Sequence, residues 1–293
     1  MPVAVVYGCD DVLPFVGGAP LAHPPDEYEV MGGLKEEPIE LVRCETSDLL
    51  VPAWAEFVVE GKISTDPASY ELEGPFGEWT GYYGWSKRRP TIEVECITYR
   101  NDPIPRGNIE GSGGGKVSES AFMSSAYMPA LLWGYLEKAG VPGVLEISYG
   151  INLVVKIRKL FAGHARQVAA ALFGSWMGKE FLKTIIVVDD DVDIYDRSDL
   201  DRAMRDRMDP KDDVVIFPGM GGYVLDPSAP LDLRDELKYG ATPQNKVLYD
   251  ATIDWVKHPP REEYGGKRFP PRSTEMPAEI ERLVTERWKE YGF

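Results

Sequence analysis

Cysteine is scarce. The 293 residues hold three, Cys9, Cys44 and Cys96, far apart and without a CxxC pair. That argues against a disulfide framework or a thiolate zinc site and fits a reducing compartment. Histidine is as sparse: His23, His164 and His258 form neither an HExxH pair nor a triad-like arrangement, and each reads as structural. Apolar runs such as Ile185-Ile186-Val187-Val188 fall far short of the roughly 20 residues that a membrane helix needs. The opening MPVAVVYGCDD has no basic start and no long apolar stretch, so no signal peptide is expected. Together these absences predict a soluble, cytoplasmic protein. Positive charge is also in deficit, 32 basic against 48 acidic side chains, for a net −16. Such a surface repels nucleic-acid phosphates and anionic membranes, so neither is an expected partner. An anionic substrate would need a locally positive pocket.

What is present is enough to fold. Hydrophobic residues make up 43% of the chain, which supports a substantial core in one large domain or two ordinary ones. Val3-Ala4-Val5-Val6-Tyr7 reads as a buried strand, and a core strand so near the first residue hints at structure missing before it. Short β-rich stretches follow near 39–43 and 55–60. In 91–99, Ile92, Val94 and Cys96 alternate with Glu93, Glu95 and Ile97, the pattern of a strand with one wet face. This front part reads as antiparallel β, with a barrel as one arrangement. A helix is predicted over 119–138, kinked at Pro129 and stopped by Gly140. From about Val141 the texture is α/β: strand 151–157, helix 164–176, strand 184–188, helix 199–208 with a Ser198/Asp201 capping box, and strand 214–217. The tail, 278–291, carries Ile280, Leu283, Val284, Trp288 and Tyr291 at helical spacing. That stripe should pack on its own domain or on another subunit.

Two motifs invite chemistry and fail on inspection. Gly111-Ser112-Gly113-Gly114-Gly115-Lys116 departs from the phosphate-loop pattern, with Glu110 at the first glycine position and Val117 after the lysine, and reads as a surface linker. Asp189-Asp190-Asp191-Val192-Asp193 satisfies a DDxxD pattern, which could serve a metal–diphosphate enzyme. It follows a strand rather than lying on a helix, and it lacks the EF-hand glycine and glutamate, so it reads as a polar strand end.

Glu73 and Glu78 are different. They flank Gly74-Pro75-Phe76-Gly77, a turn able to present both carboxylates to one cavity. Two close carboxylates hinder each other's ionisation, so one can keep a proton near neutral pH and act as a general acid. In isolation the pair would read as solvated charges on a surface turn. Here the run continues as Trp79-Thr80-Gly81-Tyr82-Tyr83-Gly84 and has company along nearly the whole chain. Residues 2–6, 26–29, 41–44, 48–53, 55–61, 97–100, 161–166, 186–193 and 207–210 resemble, in order and spacing, the UbiD family of prenylated-flavin decarboxylases.

That resemblance implies a partial split β-barrel of the flavin-reductase kind (1–118), a linker helix (119–140) and a C-terminal α/β oligomerisation domain (141–293). It implies that Glu78 delivers the proton to carbon after carbon dioxide leaves, and that Glu73 pairs with an arginine in a Glu–Arg–Glu network. Glu27 would bind a divalent metal, usually Mn2+, that bridges to the phosphate of prenylated FMN. The backbone near 16–19 would help hold K+. Lys159, or its neighbour Arg158, lies where relatives contact phosphate, with an ordinary solvated cation as the equal alternative. Tyr223 and Leu225 lie in a loop that reaches the substrate pocket in relatives. The stretch that supplies the arginine and the remaining metal ligands usually precedes the region resembling 2–7, and neither Arg43 nor Arg100 replaces that arginine. The implied function is reversible, non-oxidative decarboxylation of an aromatic or α,β-unsaturated acid, with a second UbiD-like subunit supplying the missing half and higher oligomers formed through the C-terminal helix. A non-catalytic structural or regulatory subunit is the alternative.

Overall fold

Alternation of β-branched residues with small or polar ones decides the front half. In the computed structural model it comprises β1 (Pro2–Tyr7), α1 (Val12–Gly17), α2 (Glu27–Lys35), β2 (Leu41–Arg43), β3 (Leu50–Pro52), β4 (Phe57–Ile63), β5 (Glu71–Glu73), β6 (Lys87–Arg89) and β7 (Ile92–Tyr99). The structure describes residues 1–21, 25–108, 110–111, 118–150, 152–234, 240–271 and 276–292; His23 and the glycine-rich 112–116 stretch lie outside them. Strands β1, β4 and β7 form an antiparallel sheet in that order, while β2–β3 and β5–β6 are two-stranded ribbons. Among the described residues none of these sheets closes into a barrel.

The two faces of the three-stranded sheet differ in cover rather than in polarity. On one face Ala4, Val6 and Val58 pack with Cys44, Val51 and Ala55. Glu60, 1% exposed, points the same way. Its carboxylate accepts from the Glu45 and Thr46 amides and the Thr46 hydroxyl. Burial opposes its charge, but these donors outweigh burial and hold the carboxyl below its usual range. The register Val5–Val59–Ile97 and Tyr7–Phe57–Tyr99 builds the opposite face. There Tyr7, Val94, Ile97 and Tyr99 are 51%, 50%, 54% and 69% exposed. Ile97 lies on an exposed face as its alternation implies, but Val94, grouped by that alternation with Ile92 and Cys96, joins it there: a bulge at Glu60/Gly61 pairs Gly61 with Val94 and brings Val94 and Ile97 to one side. Glycine is required at the bulge, since a Cβ on Gly61 would lie 2.2 Å from the Glu93 carbonyl oxygen.

The second half follows α3 (Glu119–Lys138), which the Ser118 hydroxyl caps and which runs on through Pro129. Then come β8 (Val144–Tyr149), β9 (Leu153–Ile157), α4 (His164–Gly174), α5 (Trp176–Phe181), β10 (Thr184–Val188), α6 (Arg197–Arg207), β11 (Val214–Gly222) and β12 (Thr242–Ala251). The sheet order is β11-β12-β10-β9-β8, with β9, β10 and β12 parallel and the two edges antiparallel. Both faces are covered, as uninterrupted apolar strands require. Leu132, Val155, Leu172, Ile185 and Leu248 lie in one core, and Val154, Ile186, Val188, Leu200 and Ala203 in the other.

The capping-box reading of Ser198 with Asp201 is corrected. Asp196 caps α6 through the Ser198 amide, and Asp201 instead pairs with Arg197 one turn earlier. An Asp two residues upstream satisfies the orphan amide better than the serine, whose own N–H needs a partner. The acidic run is a scaffold: Arg207 bridges Asp189 and Asp191, and Asp189 also accepts from the Ile253 amide. At the tail, α7 (Ala278–Glu286) and a 3-10 turn, Trp288–Tyr291, leave Ile280, Leu283 and Trp288 exposed. Among the described residues no helix is long and apolar enough to cross a membrane.

Lys246 lies in the middle of β12, 1% exposed. Its ammonium faces the carbonyls of Gly178 and Leu182 at the end of α5, and desolvation pushes its pKa down to about 8. A depressed lysine pKa means the folded state disfavours the charge. The penalty is therefore full below pH 8 and is relieved as pH rises from about 8 toward 10.5. The stability of the wild type relative to Lys246→Met should rise across that window by on the order of 3 kcal/mol, measured by urea unfolding. A pH-independent difference would contradict the buried-charge reading.

Candidate active site

The segment between β5 and β6 is one long hairpin, and the position of its turn differs from the expectation. Residues 74–77 are the rising arm, not the reversal. Gly84 N–H donates to Phe76 O at 3.0 Å, Gly77 bridges Tyr83, and Glu78 N–H donates to Tyr82 O at 3.0 Å. The chain reverses over Glu78-Trp79-Thr80-Gly81, closed by Gly81 N–H to Glu78 O at 2.8 Å. Gly81 holds φ at +82°, a left-handed conformation that suits glycine and fixes the reversal there. Glu73 thus stands on the outer rung at the end of β5, and Glu78 stands at the tip.

Glu78 itself is half-buried, and burial is the first cause lifting its carboxyl above the usual range; the charges of Glu110 and Glu73 add to it. Glu73 has an arginine within this chain that the sequence reading missed. Arg89 Nε lies 3.8 Å from Glu73 Oε2, a loose and exposed pair that offers little net attraction. The missed signal was cross-strand register: Glu71 faces Arg89 and Glu73 faces Lys87 on the ladder. Arg43 and Arg100 are engaged by Asp48 and Glu56.

Aromatic rings dock the tip onto the second half of the chain. Trp79 meets Tyr223 at 5.4 Å between centroids, and Tyr223 meets Phe181 at 6.1 Å. The Trp85 ring carries the Lys87 ammonium at 4.4 Å and the Arg234 guanidinium at 5.5 Å from its centroid. Tyr149, beside Tyr127 and Tyr223, is pushed up to about 12 by burial. Tyr127 in turn donates its hydroxyl to Gly18 O at 3.0 Å, within the 16–19 loop at the end of α1. The structure therefore brings Glu73, Glu78 and Tyr223 together, with Leu225 two residues on and partly buried.

Glu27 begins α2. Asp26 and Glu29 flank it in a reciprocal capping box, so their carboxylates close the helix end. Glu27 is exposed and makes no hydrogen bond or ion pair with the described residues. A carboxylate left open in this way suits a hard cation, yet among the described residues no three His, Cys, Asp or Glu side chains gather as a metal site. Lys159 is part-buried and held: its ammonium donates to the Thr252 hydroxyl at 2.8 Å and Ile253 O at 2.6 Å, tying the end of β9 to the strap after β12. His164, at 0% exposure, is structural, with its ring on Pro142 O and the Leu160 amide.

Residues 1–113 match the 3-octaprenyl-4-hydroxybenzoate carboxy-lyase Rift-related domain, and residues 122–251 match the C-terminal domain of the same carboxy-lyases. An uncharacterized protein of Archaeoglobus fulgidus is 34% identical over 98% of this chain and 56% of its own length. The phenolic acid decarboxylase of Bacillus subtilis is 30% identical over 87% of this chain and 54% of its own. Among solved structures, the UbiD-class enzyme HmfF of Pelotomaculum thermopropionicum, in complex with FMN, superposes with a TM-score of 0.76 at 29% identity, covering 97% of this chain and 59% of that one. Vanillic acid decarboxylase of Sedimentibacter hydroxybenzoicus, in closed form, gives 0.80 at 26% identity, over 100% and 58%. The chain spans little more than half the length of these relatives, and it belongs to the UbiD family.

Proposed function

We propose that this chain is the proton-donating and C-terminal part of a reversible, non-oxidative decarboxylase acting on an aromatic or α,β-unsaturated carboxylic acid. The observation that carries the reading is the Glu78 tip: an acid with a raised pKa on a hydrogen-bonded hairpin, docked against the Tyr223 loop. When bound, prenylated FMN supplies the electron sink for the pair left as carbon dioxide departs. Glu78 then donates its proton to that carbon and is reprotonated from water. Tyr223 and Leu225 would line the substrate side, and the docked Trp79 keeps the tip from wandering.

The residues present fit the cofactor in part. The uncovered face of Val5, Tyr7, Val59, Val94, Ile97 and Tyr99 can wall a flat apolar ring system. Glu27 offers one hard oxygen donor for Mn2+, and carbonyls of the 16–19 loop offer donors for K+. A second UbiD-like chain would supply the other metal ligands, complete a split barrel over that face, and place an arginine against Glu73. The vanillic acid decarboxylase comparison is with a protein denoted ShVdcCD, of which a form with truncated ShVdcD is also known. The open stripe on α7 would join such units into higher oligomers. The phosphate role for Lys159 has less support, because its ammonium is already held by Thr252 and Ile253.

In a complex reconstituted with the second chain, Glu78→Gln should leave flavin content unchanged and lower turnover by about 10²–10⁴-fold, the usual contribution of a positioned acid. Near-normal turnover of a good substrate would sink the assignment. Glu27→Ala should reduce manganese and flavin retention together, read by metal analysis and absorbance of the purified complex. Unchanged content of both would remove Glu27 from the metal site.

A further inference from the structure

Glu78 is hemmed in from two sides that the sequence resemblance does not mention. On one side its carboxyl lies over Gly84, where a Cβ would come within 3.0 Å of Oε1 and 3.3 Å of Cγ. On the other, the chain returns after β7 and lays Glu110 and Gly111 along the same tip. A Cβ on Gly77 would stand 3.8 Å from Glu110 O, and one on Gly111 would stand 3.5 Å from Gly81 Cα and 3.7 Å from Glu78 O. The Glu110 carboxylate accepts from the Asn108 amide and the Ser120 hydroxyl at the head of α3. Both donors are neutral groups.

Glu73 is in a different position. Arg89 stands 3.8 Å from it, and Lys87 faces it on the ladder. An arginine arriving from a partner chain would neutralise Glu73 and leave Glu110 untouched. From the second half of the chain, the groups facing the hairpin are the Tyr223 phenol beside Trp79 and the Arg234 guanidinium beside Trp85; Lys87, on the hairpin itself, also lies over that ring. None of these cations pairs with Glu110 among the described residues.

Resting on the reading of Glu78 as the proton donor, we propose that Glu110 is a positioning residue for that acid: its carboxylate, rather than that of Glu73, keeps the proton on Glu78 in the resting site. Of the two neighbouring charges that raise Glu78, Glu110 has the larger effect. The same arrangement resets the acid. Once Glu78 has given up its proton, two adjacent carboxylates repel, and recapture of a proton from water relieves the repulsion. Gly84 contributes the space in which the carboxyl sits.

The test follows the Glu78 proton directly, in the full chain and without turnover. Glutamate side chains labelled with 13C at the carboxyl carbon are titrated by NMR, and the Glu78 resonance is assigned by its loss in Glu78→Gln. Glu110→Gln keeps acceptors for Asn108 and Ser120 and should move the Glu78 midpoint down; Glu73→Gln should move it less. An unmoved midpoint in Glu110→Gln, or a larger shift in Glu73→Gln, overturns the proposal. Should Glu110→Gln fold poorly by circular dichroism, Glu110→Asp, which withdraws the charge by one methylene, should give a smaller downward shift, and no shift overturns it equally. In the reconstituted complex the alkaline limb of the pH–rate profile should shift to lower pH in Glu110→Gln. Because the titration does not need decarboxylation, an inactive complex with a normal Glu110 effect would count against the enzyme reading alone.

Discussion

A sheet with two apolar faces must be covered on both, and this chain covers one. Ala4, Val6 and Val58 are sealed under Cys44, Val51 and Ala55, with Glu60 clamping the loop that closes them. The opposite row, from Tyr7 through Phe57 to Tyr99, carries the same kind of side chains and meets no comparable layer among the described residues. A contiguous exposed apolar face with two open strand edges favours association. The second half of the chain has no such deficit on its sheet, since helices α3 to α5 cover one side and α6 the other. At its tail the stripe of Ile280, Leu283 and Trp288 stays open. The two halves therefore leave different surfaces open among the described residues: one an apolar sheet face, the other a helical stripe.

The hairpin that carries Glu78 is held by its own rungs and by aromatic contacts with the second half of the chain. Rungs from Phe76 to Gly84 lock the backbone, and the Trp79–Tyr223–Phe181 rings anchor the tip to the folded second half. The acid is thus held by the part of the molecule with a complete core. Its protonation is set locally too, by burial and by the two carboxylates that the chain brings beside it. What a partner adds would be ligands and enclosure rather than the placement of the acid.

Much of this was legible in the sequence, and the misses share a cause. The strands read at 3–7 and 184–188 and the helix over 119–138 are legible in the sequence and match the structure, which adds Pro2 to the first. Where two local signals competed, the sequence could not arbitrate. Asp196 and Ser198 both fit a helix cap, and the choice depends on which amide lacks a partner. The bulge at Glu60/Gly61 depends on a close approach to Glu93 O that only the paired strand creates. Asp26 and Glu29 did carry a capping signature three residues apart, and reading it would have marked Glu27 as the open carboxylate. Arg89 and Glu110 reach Glu73 and Glu78 through cross-strand register and chain return, which no linear pattern records. Lys159 and Lys246 look like surface cations until the carbonyls that hold them are in place.

The most direct test of the central claim is amide hydrogen exchange on this chain alone and after mixing with a second UbiD-like chain, alongside flavin binding. The expected result is weak prenylated-flavin binding by the isolated chain and fast exchange along the outer edges of β1 and β7. In the mixed complex, both edges should become protected together with flavin uptake. An isolated chain that already protects those edges, binds prenylated flavin tightly and decarboxylates substrate unaided would contradict the claim that one face of its sheet awaits a partner.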